Sequence, residues 1–168
     1  MKTRILICTL FSAFFVSVFG TLGHFFYEWS GNNHFVGLFF PVSESTWEHM
    51  KLFFFPSLIC YILLCFIKRN NEPCIVYAFP KAIFLGTFLI PVFFYTYSGI
   101  LGFNVTFIDI AIFYLCVLLA FSYLYKTTLS VKKLDYSLAL TIALILLTLL
   151  FMCFSYNPPS LALFQEPS

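Results

Sequence analysis

Hydrophobic residues occupy five long stretches of this chain, and polar residues concentrate in the short segments between them. Each stretch is long enough to cross about 30 Å of hydrocarbon as a helix of roughly 20 residues. The stretches predict membrane-spanning helices near residues 5–27, 47–67, 75–97, 105–125 and 137–156. We therefore expect an all-α, five-helix membrane bundle that forms a single transmembrane domain over residues 1–168.

The segment between the first two predicted spans mixes turn-forming and apolar residues. Gly31, Gly37 and Pro41 interrupt it. Its apolar part, residues 35–40, is too short to cross a bilayer. The pattern predicts a short re-entrant or interfacial loop between helices 1 and 2.

Basic residues mark one side of the predicted bundle. Short cytoplasmic loops of membrane proteins carry an excess of lysine and arginine. The pattern therefore predicts that the N-terminus is inside and the C-terminus outside. The residues concerned are Lys2 and Arg4 before the first span, Lys68 and Arg69 after the second, and Lys126, Lys132 and Lys133 after the fourth.

Composition supports an integral membrane protein, because 61% of the 168 residues are hydrophobic, 22% are aromatic and the mean hydropathy is +0.96. These values lie well outside the range of soluble domains. The formal net charge of +2 is too small to indicate nucleic-acid binding. The expected partner is the lipid bilayer, and the expected substrate is a lipid-linked or anionic small molecule.

The first span has a second interpretation, as a cleavable signal peptide. Lys2 and Arg4 precede its apolar run, and Phe19–Gly20 resembles a cleavage region. The apolar run continues to Phe26, however, and is longer than an ordinary signal-peptide core. Its length favours a retained helix.

Histidines and carboxylates gather at the facing ends of the first two spans. Only 10% of the residues are charged, and an ionisable group at membrane depth is costly unless it is paired or hydrated. His24 and Glu28 are four residues apart, as are Glu44 and Glu48, so each pair shares a helix face if both are helical. With His49, these residues offer suitable donors for Zn²⁺, Mn²⁺ or Fe²⁺.

These positions predict a site on the extracytoplasmic side that supports metal-dependent hydrolysis or transfer on a lipid-linked substrate. The predicted metal ligands are His24, Glu44, Glu48 and His49. Glu28 or Asp109 would act as the general base on metal-bound water, and Lys51 would pair with an anionic head group. The predicted catalytic residues are thus Glu28, Asp109 and Lys51.

The same residues also have structural interpretations. Ser45-Thr46-Trp47-Glu48 matches a capping box, in which Ser45 accepts from the Glu48 amide while the Glu48 carboxylate reaches back. Glu28 and Glu44 would then be interfacial carboxylates. Asp109 would favour the start of its helix through the helix dipole.

The sequence is also compatible with three other functional classes. Carboxylates and histidines at the mouth of a bundle suit ion-coupled or proton-coupled transport. A non-catalytic membrane scaffold requires only the capping interactions. A haem held between His24 and His49 is a minor further possibility.

Three blocks of sequence are distinctive: HFFYEWSG at residues 24–31, PVSESTWEHMKLFFFP at 41–56, and NPP at 157–159 followed by LFQEP at 163–167. In these blocks the chain resembles a family of small bacterial multi-pass membrane proteins of unknown function. The resemblance implies a polytopic fold in the bacterial plasma membrane. It implies no activity.

Overall fold

The computed structural model describes residues 2–68, 73–130 and 138–166, and helices make up most of these ranges. Those ranges contain no strand, so the all-α prediction is confirmed. The helices are α1 (Lys2–Trp29), α2 (His34–Gly37), α3 (Thr46–Lys68), α4 (Pro73–Leu101), α5 (Thr106–Ser130) and α6 (Leu138–Phe154), followed by a 3-10 turn over Ala162–Phe164.

Four of these helices, α1, α3, α4 and α5, are long and apolar enough to cross a membrane. The described part of α6 is strongly apolar but has only 17 residues, a length of about 26 Å. Its predicted start at residue 137 lies outside the described residues, as do Arg69, Lys132 and Lys133. The membrane class is supported, with four long candidate spans where the sequence predicts five.

The four long helices form a ring around an aromatic core. α1 packs against α3 and α5, and α4 packs against the same two helices, while α6 lies outside against α3 and α4. Phe53 contacts Phe121, with ring centroids 6.2 Å apart, and its ring fills the space that a Cβ on Gly86 would need. The interior of the ring is therefore packed with side chains.

The chain reverses sharply after α1. Gly31 and Asn32 take positive φ angles of 70° and 58°, a conformation that glycine and asparagine adopt most readily. Asn33 then caps α2, because its side chain accepts a hydrogen bond from the Phe35 amide at 2.8 Å. This turn and the one-turn helix α2 connect α1 to the loop before α3.

One end of the bundle collects the acidic residues that the structure describes. The ends of α1, α4 and α6 meet the beginnings of α3 and α5 there, as the contacts His24 to His49, Tyr97 to Asp109 and Lys51 to Ser155 show. After α6 the chain folds back, and Phe164 packs on Trp47 with ring centroids 4.8 Å apart. The C-terminal segment thereby comes close to the start of α3.

Candidate metal centre

His24, Glu44 and His49 converge at this end of the bundle. His24 lies near the end of α1, His49 lies in the first turn of α3, and Glu44 lies in the loop just before α3. The Nε2 atoms of the two histidines are 3.3 Å apart. Glu44 Oε2 lies 3.6 Å from His24 Nε2 and 3.4 Å from His49 Nε2. Each residue thus presents one donor atom to a common point.

These three separations match the edges of a small metal coordination polyhedron. Zinc bonds to nitrogen and oxygen at about 2.0–2.2 Å, which gives ligand-to-ligand distances of about 3.3–3.6 Å in a tetrahedron. The measured distances between donor atoms span the same range. Three donors leave the fourth tetrahedral position free.

The orientation of His49 is set by the backbone of its own helix. Its Nδ1 lies 3.0 Å from the carbonyl oxygen of Ser45. A carbonyl can only accept, so Nδ1 carries a proton, and in the neutral imidazole Nε2 presents its lone pair towards His24 and Glu44. This is the arrangement of a metal-ligating histidine, in which the second nitrogen is held by a backbone carbonyl.

Electron-rich atoms therefore face each other at the centre of the cluster. When the histidines are protonated, the hydrogen bond that His49 donates lowers the pKa of the Glu44 carboxyl, with further contributions from the charges on both histidines, although partial burial opposes the shift. Glu44 is thus ionised in the fold. A carboxylate and two imidazoles at this distance are stabilised by a cation between them, either protons or a metal ion.

A cavity of about 580 Å³ opens next to the cluster and brings Asp109 to it. The lining includes His24, Glu44, His49, Asp109 and Glu166. Its remaining walls are mainly apolar side chains of α1, α4 and α5. Two acidic groups therefore share the cavity with the three donors.

Tyr97 holds Asp109 in place. The Tyr97 hydroxyl donates a hydrogen bond to Asp109 Oδ1 and accepts one from the Val105 amide at 3.1 Å. Tyr97 comes from α4 and Asp109 from the first turn of α5. The carboxylate is fixed at the edge of the cavity by a neighbouring helix.

Glu48 and Lys51 do not join this cluster, although the sequence predicts them at the site. They form a separate buried ion pair, in which Glu48 Oε2 lies 2.8 Å from Lys51 Nζ, and their exposed fractions are 2% and 0%. Glu48 lies about 100° around α3 from His49. That rotation directs Glu48 towards α6 and away from the histidines.

Both side chains of the buried ion pair make further hydrogen bonds. Lys51 Nζ donates to the Gly37 carbonyl at 2.9 Å and to Ser155 Oγ. Glu48 accepts from the Val42 amide and from Ser155, both at 3.0 Å. Gly37 belongs to α2, Val42 to the loop before α3, and Ser155 to the segment after α6. The ion pair on α3 therefore connects four parts of the fold.

The predicted capping box forms in part. The Glu48 amide donates to Ser45 Oγ at 3.4 Å, as expected for an N-cap serine. The Glu48 carboxylate, however, binds Val42 and Lys51, and the Ser45 amide donates to Ser43 Oγ instead. The Glu48 carboxylate therefore binds partners other than those of a capping box.

Glu28 lies away from the cavity. It is exposed in the last turn of α1 and does not contribute to the cavity lining. The third histidine, His34, is separate too, since its ring packs on Tyr156 with centroids 4.9 Å apart. Of the seven predicted site residues, four line the cavity: His24, Glu44, His49 and Asp109.

Sequence analysis did not identify Tyr97 and Ser155 as contributors. Tyr97 lies at the end of a long apolar stretch, and Ser155 lies 107 residues from Glu48. Neither carries a local signal, because each acquires its role only from the neighbouring helix.

Comparison with known proteins identifies a family for this chain. Comparison with curated proteins and with solved structures returns no match. The sequence model of a family of unknown function, DUF6512, matches residues 3–167. This match covers almost the whole chain, and the chain therefore belongs to the DUF6512 family of unknown function.

Proposed function

We propose that this protein is a multi-pass membrane protein that binds a divalent transition metal ion through His24, Glu44 and His49. The observation that carries the proposal is the set of donor separations, 3.3, 3.4 and 3.6 Å, which suit one small ion. The Ser45 carbonyl supports it by directing the Nε2 lone pair of His49 towards the same point. Zn²⁺, Mn²⁺ and Fe²⁺ all accept such donors.

We further propose that the site is enzymatic and performs hydrolysis or group transfer. Catalytic zinc sites commonly combine three protein ligands with one position for water or substrate. A metal ion held here would lower the pKa of bound water. Asp109 faces the same cavity and is held by Tyr97, so it is our candidate for the group that accepts the proton.

The proposed membrane arrangement has five spans, with the metal site on the extracytoplasmic side of a bacterial plasma membrane. The acidic residues that the structure describes lie at the site end, whereas Lys2, Arg4 and Lys126 lie towards the other end of the bundle. An excess of basic residues favours the cytoplasmic side. This distribution supports an N-terminus inside and a site outside.

The packing argues against two alternative functions. Transport requires a path through the bundle, but Phe53, Phe79 and Phe121 are buried together inside the helix ring. Haem binding requires two imidazoles on opposite faces of a flat macrocycle. The 3.3 Å between His24 Nε2 and His49 Nε2 leaves no slot for one.

Elemental analysis of detergent-purified protein tests the metal proposal. We expect near-stoichiometric Zn, Mn or Fe in the parent protein and its loss in the His24→Ala/His49→Ala double variant. His34→Ala is the matched control, because His34 lies outside the cluster, and it should retain the metal. A metal-free parent protein that also gains no thermal stability from added divalent ions would refute the proposal, since a ligand of the folded state must stabilise that state.

A further inference from the structure

We propose that the substrate of this site is a membrane lipid whose hydrocarbon chain enters from the bilayer between α1 and α5. The polar linkage of the lipid would lie at His24, Glu44 and His49. This inference rests on the proposed function and specifies the substrate class for the same site. The shape and exposure of the cavity support it.

The cavity extends from the polar cluster down the seam between α1 and α5. On α1 its lining continues from His24 to Gly20, and on α5 from Asp109 to Phe113 and Tyr114. Four residues of helix correspond to about 6 Å. The cavity thus reaches about one helical turn into the apolar part of the bundle.

The seam is open at its side. Phe25, Ile110 and Tyr114 line the cavity and are nevertheless 44%, 52% and 40% exposed. In a helix that spans a membrane, exposed side chains of this kind face hydrocarbon rather than water. A lipid chain can therefore reach the cavity laterally without leaving the bilayer.

Two contacts close the inner end of this opening. The Thr21 hydroxyl donates to the Ser17 carbonyl at 2.8 Å, so Tyr114 acts as the donor in its 2.9 Å hydrogen bond with Thr21 Oγ1. This bond joins α1 to α5. The Phe113 ring occupies the space beside Gly20 that a Cβ would fill. Phe25 and Ile110 lie one helical turn nearer the polar cluster, where the seam is open.

The chemistry of the cavity fits an amphiphile. Its histidines and carboxylates gather at one end, and Leu52, Ile90, Phe94 and Ile112 make the opposite walls apolar. A fully water-soluble substrate would make no hydrophobic contact with those walls. The volume of about 580 Å³ is within the usual range for small-molecule sites, so it accommodates a polar linkage and the adjoining part of one chain.

Photolabelling in lipid nanodiscs tests this proposal. The probe is hexadecanoyl hydroxamic acid with a diazirine on its chain, since a hydroxamate is a metal-binding head group. We expect label to concentrate on peptides that contain residues 20–25 and 110–114. An excess of unlabelled hexadecanoyl hydroxamic acid should compete with the label, whereas acetohydroxamic acid at the same concentration should not.

A pair of variants on α5 provides the control. Ile110→Trp places a larger side chain in the opening and should reduce specific labelling about tenfold, the effect of an overpacked site. Leu118→Trp makes the same change about two turns along the helix, at a lipid-facing position that is 63% exposed and outside the cavity lining. The Leu118→Trp variant should take up as much specific label as the parent protein.

Several outcomes would overturn the proposal. These are label spread evenly over the lipid-facing helices, equal labelling of the two variants, or equal competition by acetohydroxamic acid. If Ile110→Trp does not fold, the label map and competition in the parent protein still decide. Metal content is measured on the same samples: metal-loaded protein with diffuse label refutes the lipid pathway alone, and metal-free protein with label at the seam refutes the metal function alone.

Discussion

His24 Nε2 on α1 lies 3.3 Å from His49 Nε2 on α3, although the two residues are 25 positions apart in the chain. The short linker with α2 returns the chain alongside α1, so that the end of one helix meets the beginning of another. Glu44 completes the group from the loop just before α3. Two helices and one loop therefore meet at this junction.

Added Zn²⁺ should raise the melting temperature of the purified protein. At a free concentration about 100 times the dissociation constant, binding to the folded state adds about 2.7 kcal/mol. Differential scanning fluorimetry in detergent measures the shift. Glu44→Gln should reduce it and His49→Ala should abolish it, whereas a full shift in His49→Ala would show that zinc binds elsewhere.

Metal binding should weaken as the pH falls from about 8 to 5. Imidazole ligands must be unprotonated to bind a metal, so protons compete for both histidines. Glu44 contributes little to this pH dependence, because its pKa is lowered and it stays ionised until more acidic conditions. Its favourable interaction is present above the ordinary carboxyl pKa and is lost as pH falls through the lowered value. Isothermal titration calorimetry at several pH values checks this, and a pH-independent affinity would contradict it.

Removing one member of the buried ion pair should destabilise the fold more than it affects metal binding. Lys51→Met leaves the Glu48 carboxylate buried without its cation, which costs about 3–5 kcal/mol. The Glu48→Gln/Lys51→Met double variant removes both charges and should recover much of that loss. Denaturation in mixed micelles gives the free energies of unfolding, and elemental analysis should find metal in every variant that folds. Loss of metal from a folded Glu48→Gln protein would instead show that Glu48 is a metal ligand.

Gly20→Ala should destabilise the bundle by about 1–3 kcal/mol, the usual effect of overpacking. A Cβ at Gly20 would lie 2.7 Å from the Leu52 carbonyl oxygen and would collide with the Phe113 ring. Gly99→Ala is the control, because nothing lies within 4 Å of its added Cβ and alanine is the better helix former. Equal melting temperatures for the two variants would show that α1, α3 and α5 pack less closely than described.

Cysteine labelling tests the proposed orientation. In a background without the native cysteines, a cysteine at Asn33 should react with an impermeant maleimide in intact cells, and a cysteine at Ser130 should react only after permeabilisation. Both positions are exposed, and they lie at opposite ends of the bundle. The reverse pattern would place the metal site on the cytoplasmic side.

The sequence alone predicted the four long apolar helices and indicated a membrane protein. Apolar runs fix where helices lie, because a backbone in hydrocarbon must satisfy its own hydrogen bonds. α3 begins at Thr46 and α5 begins at Thr106, each within one residue of the predicted starts at 47 and 105. Chemistry-bearing residues were also identifiable, since histidines and carboxylates are rare in such a composition.

The partners of those residues were decided only by the tertiary structure. Local spacing paired His24 with Glu28, but the neighbouring helix and loop supply His49 and Glu44 instead. Likewise, adjacent residues Glu48 and His49 point to different helices, because about 100° of rotation separates them on α3. Sequence spacing fixes directions around one helix, whereas the packing of several helices determines what lies in each direction.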